Sequence, residues 1–319
     1  MSGPAILFVT AGQIGDAVLT TGLLAHLIEI NRGARLTIVA APLPAQLFRA
    51  VPGLERLIPI AKQRYRRHWL ELYRELRGRR WDIAVDLRGS ALTSFLRAGK
   101  RYAMAKGDPR EHRVVQLARL MNLTPPPAPK LWTAAADRDA AARLIGDGPV
   151  LAVAPAANWP GKRWPADRFA ELVTRMTGAG GVMANARVAV FAAPGEREQA
   201  APVMAAIPSA RRIDMTGGLD LGVVAAALGR ARLFIGNDSG LMHIAAAMRV
   251  PTLGLFGPTS ATVYAPWGEF TAVARTDLPR ETLERIAAEK GFAYEGLMDS
   301  LPLDRVEAAA AELFRRSAL

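Results

Sequence analysis

Leu233-Phe234-Ile235-Gly236-Asn237-Asp238-Ser239-Gly240-Leu241-Met242-His243 carries the reading of this chain. An apolar run enters a Gly-Asn-Asp-Ser-Gly turn and passes straight into a helical pattern. A strand that feeds a helix this directly leaves the helix's first amides unpaired, with the positive end of its dipole behind them. That arrangement suits an anion such as a diphosphate. Ser239 adds a hydroxyl, and His243, four residues on, lies on the same helical face. The same residues also read as a helix capped by Asp238 or Ser239, with His243 packed in a core.

The pattern on either side repeats this unit. Ala5–Thr10, Leu36–Ala40, Leu57–Ile60 and Ile83–Leu87 are β-rich, and helical stretches separate them. Strands over Val150–Ala154, Arg187–Ala192, Leu233–Ile235 and Thr252–Phe256 alternate with helices over Asp167–Met176, Glu196–Ala206, Leu221–Leu228 and Leu241–Met248. Strand–helix alternation predicts parallel βαβ units. Between the two series lies Leu123-Thr124-Pro125-Pro126-Pro127-Ala128-Pro129, where prolines remove backbone donors, so this is connecting chain. At roughly 150 residues per domain, 319 residues fit two domains. The expected fold class is α/β, with two Rossmann-like, doubly wound parallel-sheet domains over 1–146 and 147–302 facing across a cleft, followed by an amphipathic helix over 303–319.

Composition narrows the chemistry. Half the residues are hydrophobic, 22% are charged and none is cysteine, which excludes disulfides, thiolate metal sites and cysteine nucleophiles. The start, Met1 to Val9, has no basic n-region, and no window resembles a membrane-spanning helix, so the expected compartment is the cytoplasm. Net charge is +12 and uneven: residues 1–150 hold 23 Lys/Arg against 12 Asp/Glu, while 151–319 hold 18 against 17. Sixteen of the basic residues fall between Lys62 and Arg119, against six acidic ones. Such a segment attracts nucleic acid, anionic lipid or phosphorylated sugar alike.

Ligands of doubly wound sheets sit beyond the carboxyl ends of strands, so the post-strand loops are where chemistry is expected. Asn158-Trp159-Pro160-Gly161-Lys162-Arg163 follows the strand at 150–154. Lys162 offers a flexible charge for phosphate, or else a solvated loop; Arg163, adjacent on an extended loop, points elsewhere. Glu196 opens a helix, either as a cap or as an acceptor for two sugar hydroxyls. Gly12-Gln13-Ile14-Gly15-Asp16 lacks the third glycine of a dinucleotide fingerprint, and Asp16 reads either as a cap or as a proton acceptor. Asp137-Arg138-Asp139 opens a helix instead of ending a strand. No His or carboxylate cluster has metal spacing, so neither metal nor cofactor is expected.

Together these segments resemble the heptosyltransferases of glycosyltransferase family 9, which move heptose from an ADP-activated donor to the lipopolysaccharide inner core. The resemblance is carried by Gly236 to Ala247, Val250-Pro251-Thr252, Phe256-Gly257-Pro258-Thr259, Pro266-Trp267-Gly268, Lys162-Arg163-Trp164-Pro165 and Ile14 to Thr21. It implies a GT-B fold and an inverting, metal-independent transfer. Asp16 would be general base. Asn158, Lys162, Asp238, Ser239, Gly240 and His243 would hold donor diphosphate and sugar, with Glu196 on the ribose and Leu219 against the adenine. It further implies acceptor binding by Arg64, Arg66, Arg67 and Arg88, in and near a mobile basic loop, and a last helix returning to the first domain. Implied partners are an ADP-heptose-like nucleotide sugar and a phosphorylated glycolipid, with peripheral contact at the inner membrane and no nucleic acid. Where some members carry hydroxyl residues before the lysine, this chain has Ala157 and Asn158. Two other readings stand beside it: a GT-B transferase using another nucleotide sugar for a different envelope glycan, and a non-catalytic nucleic-acid binder using the basic segment.

Overall fold

A computed structural model describes residues 3–64, 67–105 and 107–317. The chain divides into two units, Met1–Ala134 and Ala135–Leu319. In the first, β1 (Ala5–Val9), α1 (Ile14–Leu19), α2 (Thr21–Ile30), β2 (Arg35–Ala40), α3 (Pro42–Ala45), β3 (Leu54–Pro59), α4 (Arg67–Leu76), β4 (Trp81–Asp86), α5 (Leu92–Phe95), β5 (Ala98–Ala103) and α6 (Arg113–Arg119) follow one another. The five strands form a parallel sheet in the order β3-β2-β1-β4-β5. β1 and β2 are almost wholly buried because helices cover both faces, which is why they read as continuous apolar runs. On one face Leu72 and Leu76 of α4 and Leu92 of α5 pack on Leu7, Val9 and Trp81.

The second unit comprises α7 (Ala135–Ile145), β6 (Val150–Ala154), α8 (Ala166–Thr177), β7 (Arg187–Ala192), α9 (Arg197–Ala206), β8 (Arg212–Thr216), α10 (Leu221–Leu228), β9 (Leu233–Asn237), α11 (Gly240–Ala247), β10 (Thr252–Phe256), α12 (Ala261–Tyr264), β11 (Thr271–Arg275), α13 (Arg280–Lys290) and α14 (Leu303–Arg316). Its parallel sheet runs β11-β10-β9-β6-β7-β8. β9 approaches β6 closely, since a Cβ at Gly236 would lie 3.0 Å from that of Ala154 and 2.8 Å from the Phe234 ring. Among the described helices none is long and apolar enough to cross a membrane.

Two expectations change. The division falls after Ala134, not at 146, so α7 belongs to the second unit, where it packs on α10 with Asp137 close to Gly222. The proline segment is connecting chain within the first unit, as expected: the Lys130 amide donates to Thr21 Oγ1 at 3.0 Å, and Gly22 leaves room for the Pro127 carbonyl. The last helix, expected to return to the first unit, packs in the core of the second. Val306, Ala310 and Leu313 of α14 are buried in the core with Leu253, Leu255 and Ala274, so its apolar stripe is already spent there.

Candidate active site

In each sheet the winding reverses direction at one pair of neighbouring strands, so the loops leaving them diverge and open a crevice. In the second unit that pair is β6 and β9, aligned as Ala154 with Gly236. The loop after β6 carries Lys162, and the turn after β9 carries Asp238 and Ser239. Lys162 Nζ donates to Asp238 Oδ2 at 2.9 Å, with the two side chains 22% and 8% exposed. Lys162 is therefore a held cation, not a solvated one.

Asn237 makes this pairing possible. Wholly buried at the end of β9, it donates through Nδ2 to the Pro155 carbonyl at 2.7 Å and accepts the Trp164 amide at 3.1 Å, so both ends of the lysine loop are tied to β9. Arg163 turns away, donating to Ala157 O and pairing with Glu295 at 2.8 Å. Ser239 occupies the N-cap position of α11 in extended conformation, yet its hydroxyl makes no capping bond and is buried without a hydrogen-bond partner among the described residues. Gly240 begins α11, and His243 is buried one turn along.

Strand order extends the site into a row. β9, β6, β7 and β8 are successive neighbours, so Asp238, Lys162, Glu196 and Leu219 follow their carboxyl ends in that sequence. Three strand spacings span about 14 Å, the scale of a nucleoside diphosphate sugar. Glu196 Oε2 accepts the Ala193 amide at 3.2 Å, so one oxygen does act as a cap. Leu219 is half-buried just before α10, which is capped by Asp220. Asn158 is exposed on the lysine loop. Arg197 joins α9 to the end of β8 through Thr216 and Asp214. Burial pushes the Asp214 carboxyl up, but hydrogen bonds from Thr216 and Arg197 outweigh it and hold the group below the usual carboxylate range.

In the first unit the corresponding pair is β1 and β4, aligned as Val9 with Asp86. Asp16 is half-buried in the first turn of α1. Asp86 is buried, and its carboxylate accepts the amides of Arg88 and Ser90, each at 3.0 Å, and the Ser90 hydroxyl at 2.6 Å, fixing the loop after β4. That loop sets Arg88 over the Trp69 ring, 5.1 Å from its centroid, with Nη2 3.5 Å from where a Cβ on Gly12 would stand. Arg88 thus neighbours the loop that leads into α1 and its Asp16. Arg67 opens the helix that supplies Trp69; Arg64 and Arg67 are exposed, and Arg66 lies outside the described residues. Sequence reasoning missed the bracing roles of Asn237 and Asp86, whose one signal was a polar side chain at the end of an apolar strand.

A profile of glycosyltransferase family 9 (heptosyltransferase) matches residues 100–291. The chain belongs to glycosyltransferase family 9. It is 25% identical over 308 residues to lipopolysaccharide heptosyltransferase 1 of Pseudomonas aeruginosa, covering 86% of this chain and 84% of that one. Among solved structures, the family 9 glycosyltransferase of Veillonella parvula superposes with a TM-score of 0.80 at 22% identity over 98% of both chains. The Escherichia coli ADP-heptose lipopolysaccharide heptosyltransferase II does so with 0.76 at 20% over the full length of both. The two parallel-sheet units of this glycosyltransferase are those of the GT-B fold.

Proposed function

We propose that this glycosyltransferase moves a heptose from ADP-heptose to a lipopolysaccharide inner-core acceptor, with inversion at the anomeric carbon. One observation carries the reading: a lysine held by an aspartate across the β6 and β9 loops, beside a buried, unpartnered serine hydroxyl at the start of an eight-residue helix. Cation, hydroxyl and helix amides together fit a diphosphate.

In this mechanism the Asp16 carboxylate removes the acceptor's hydroxyl proton. The hydroxyl oxygen bonds to the anomeric carbon as the bond from that carbon to the diphosphate oxygen breaks, and ADP leaves with the electron pair. Lys162, Ser239, the first amides of α11 and His243 meet the charge that develops on the leaving group. These groups do so without a metal ion. Asp238 keeps Lys162 in place before donor arrives, which lowers the cost of organising the site. Glu196 takes the ribose, Leu219 the adenine face, and Asn158 stands in for the missing hydroxyl residues.

Similarity to the Pseudomonas lipopolysaccharide heptosyltransferase 1 and to the Escherichia ADP-heptose lipopolysaccharide heptosyltransferase II supports heptose as the sugar and ADP-heptose as the donor. The first unit's surplus of positive charge supports an acidic, phosphorylated glycolipid acceptor that brings the enzyme to the inner face of the membrane.

The test is a donor screen read by mass spectrometry, with de-acylated inner-core glycolipid as acceptor and calorimetry for ADP, UDP and GDP. The expected result is a product heavier by one heptose from ADP-heptose, with ADP the tightest nucleotide. A hexose product, or tighter UDP or GDP binding, would move the enzyme to another envelope glycan.

A further inference from the structure

We propose that segment 292–297 is a strap that sets Lys162 in place, with Trp159 and Arg163 as the positioning residues through which it acts. The inference rests on the reading above of Lys162 as the cation that meets the donor diphosphate.

Asp238 fixes the head of Lys162, but a head is placed only as well as the backbone beneath it. That backbone is a three-residue 3-10 turn, Pro160–Lys162, where the Lys162 amide donates to the Trp159 carbonyl and the Arg163 amide to the Pro160 carbonyl, each at 3.0 Å. So short a turn has little stability of its own. Asn237 ties the loop at its ends, Pro155 and Trp164. The middle is held by the chain that follows α13. Trp159 Nε1 donates to the Phe292 carbonyl at 3.1 Å, and the two rings stack with centroids 5.9 Å apart and planes 20° apart. Leu297 is buried where Gly161 lacks a side chain, since a Cβ there would stand 2.7 Å from Leu297 Cδ1. Arg163 Nη1 pairs with Glu295 Oε1 at 2.8 Å.

Trp159 and Gly161 precede Lys162 and Arg163 follows it, so the strap grips the chain on both sides of the lysine and leaves its charge to Asp238. Beyond the strap, Met298 and Leu301 are sunk in the core of the unit, which gives the grip a fixed base. Glu295 is exposed, and an ion pair with an exposed partner contributes little to stability. Orientation is what this pair supplies: it keeps a second cation, next in sequence to Lys162, turned away from Asp238.

The test is the rate at which a water-soluble acyl ester acetylates Lys162, read by peptide mass spectrometry against Lys130 as internal reference. Wild type is compared with Asp238→Asn and with the strap variant Phe292→Ala/Glu295→Ala. The strap variant should acetylate Lys162 several-fold faster than wild type, approaching Asp238→Asn. It should also bind ADP about 10-fold more weakly in calorimetry, because a charge that must be organised on binding forfeits the gain of preorganisation. In a Lys162→Met background the strap changes should weaken ADP binding no further, since residues acting through one another are not additive. An unchanged Lys162 rate would overturn the proposal, as would an ADP loss of equal size with and without Lys162. If thermal melting shows the strap variant unfolded, Glu295→Gln alone is judged by the same criteria. Faster acetylation, with ADP affinity unmoved by the strap changes and by Lys162→Met alike, would leave the strap standing and refute Lys162 as the diphosphate's cation.

Discussion

The carboxyl edges of the two sheets treat their half-buried cations in opposite ways. In the second unit Lys162 meets Asp238 at 2.9 Å. In the first, Arg88 rests on Trp69 with no carboxylate in ion-pair reach among the described residues. The same contrast holds for whole units: Met1–Ala134 has 21 Lys and Arg against 9 Asp and Glu, while Ala135–Leu319 has 20 of each, so the entire net charge of +12 belongs to the first. A neutral unit with an internally paired lysine is organised for its ligand in advance and gains little from long-range attraction. A strongly positive unit attracts anions over a longer range.

The comparison can be broken most directly at Asp16. Asp16→Ala should lower turnover by about 10²–10⁴-fold, the usual worth of a positioned proton acceptor, while ADP binding to the other unit is untouched; near-normal turnover would remove Asp16 as base. Lys162→Met comes next. Losing one preorganised charge at a developing anion costs about 10²–10³-fold in rate, and here it also leaves the nearly buried Asp238 uncompensated. Adding Asp238→Asn should restore the lost thermal stability but not the rate, and recovery of both would mean the pair serves folding alone.

Smaller effects sharpen the picture. Asn237→Ala leaves the Pro155 carbonyl and the Trp164 amide unpaired, so unfolding stability should fall by about 1–3 kcal/mol, with donor KM rising and acceptor KM steady. If chemical denaturation shows no change, Asn237 is not what holds the lysine loop. Smallest is the response to salt. Raising ionic strength from about 0.01 to 0.15 M shortens the screening length from about 30 to 8 Å. The KM of an acidic acceptor should then rise several-fold while ADP affinity changes less than twofold; an equal response from both ligands would erase the electrostatic distinction between the units.

Much of this was legible in the chain. Buried central strands read as apolar runs because both faces of a parallel sheet are covered, and β1, β2, β6, β7, β9 and β10 were each found that way. The strands that were missed, β5, β8 and β11, are all edge strands. Ala98–Ala103, Arg212–Thr216 and Thr271–Arg275 carry arginine, aspartate or lysine because one side and one face of an edge meet water, which erases the apolar run. Arg163 turns away from Lys162, as expected, but it does so because a 3-10 turn ends at Lys162 and the chain becomes extended at Arg163.

From the residues alone, then, came the alternating architecture, the turn at Asn237-Asp238-Ser239 and the concentration of charge in the first half, since each is written in local pattern or in simple counting. Tertiary structure alone determined that Lys162 is claimed by Asp238, that no acid among the described residues claims Arg88, and that α14 spends its apolar stripe on β10 and β11. Pairing of that kind depends on which strands lie side by side, and residues 76 positions apart, as Lys162 and Asp238 are, become neighbours only when β9 is laid against β6.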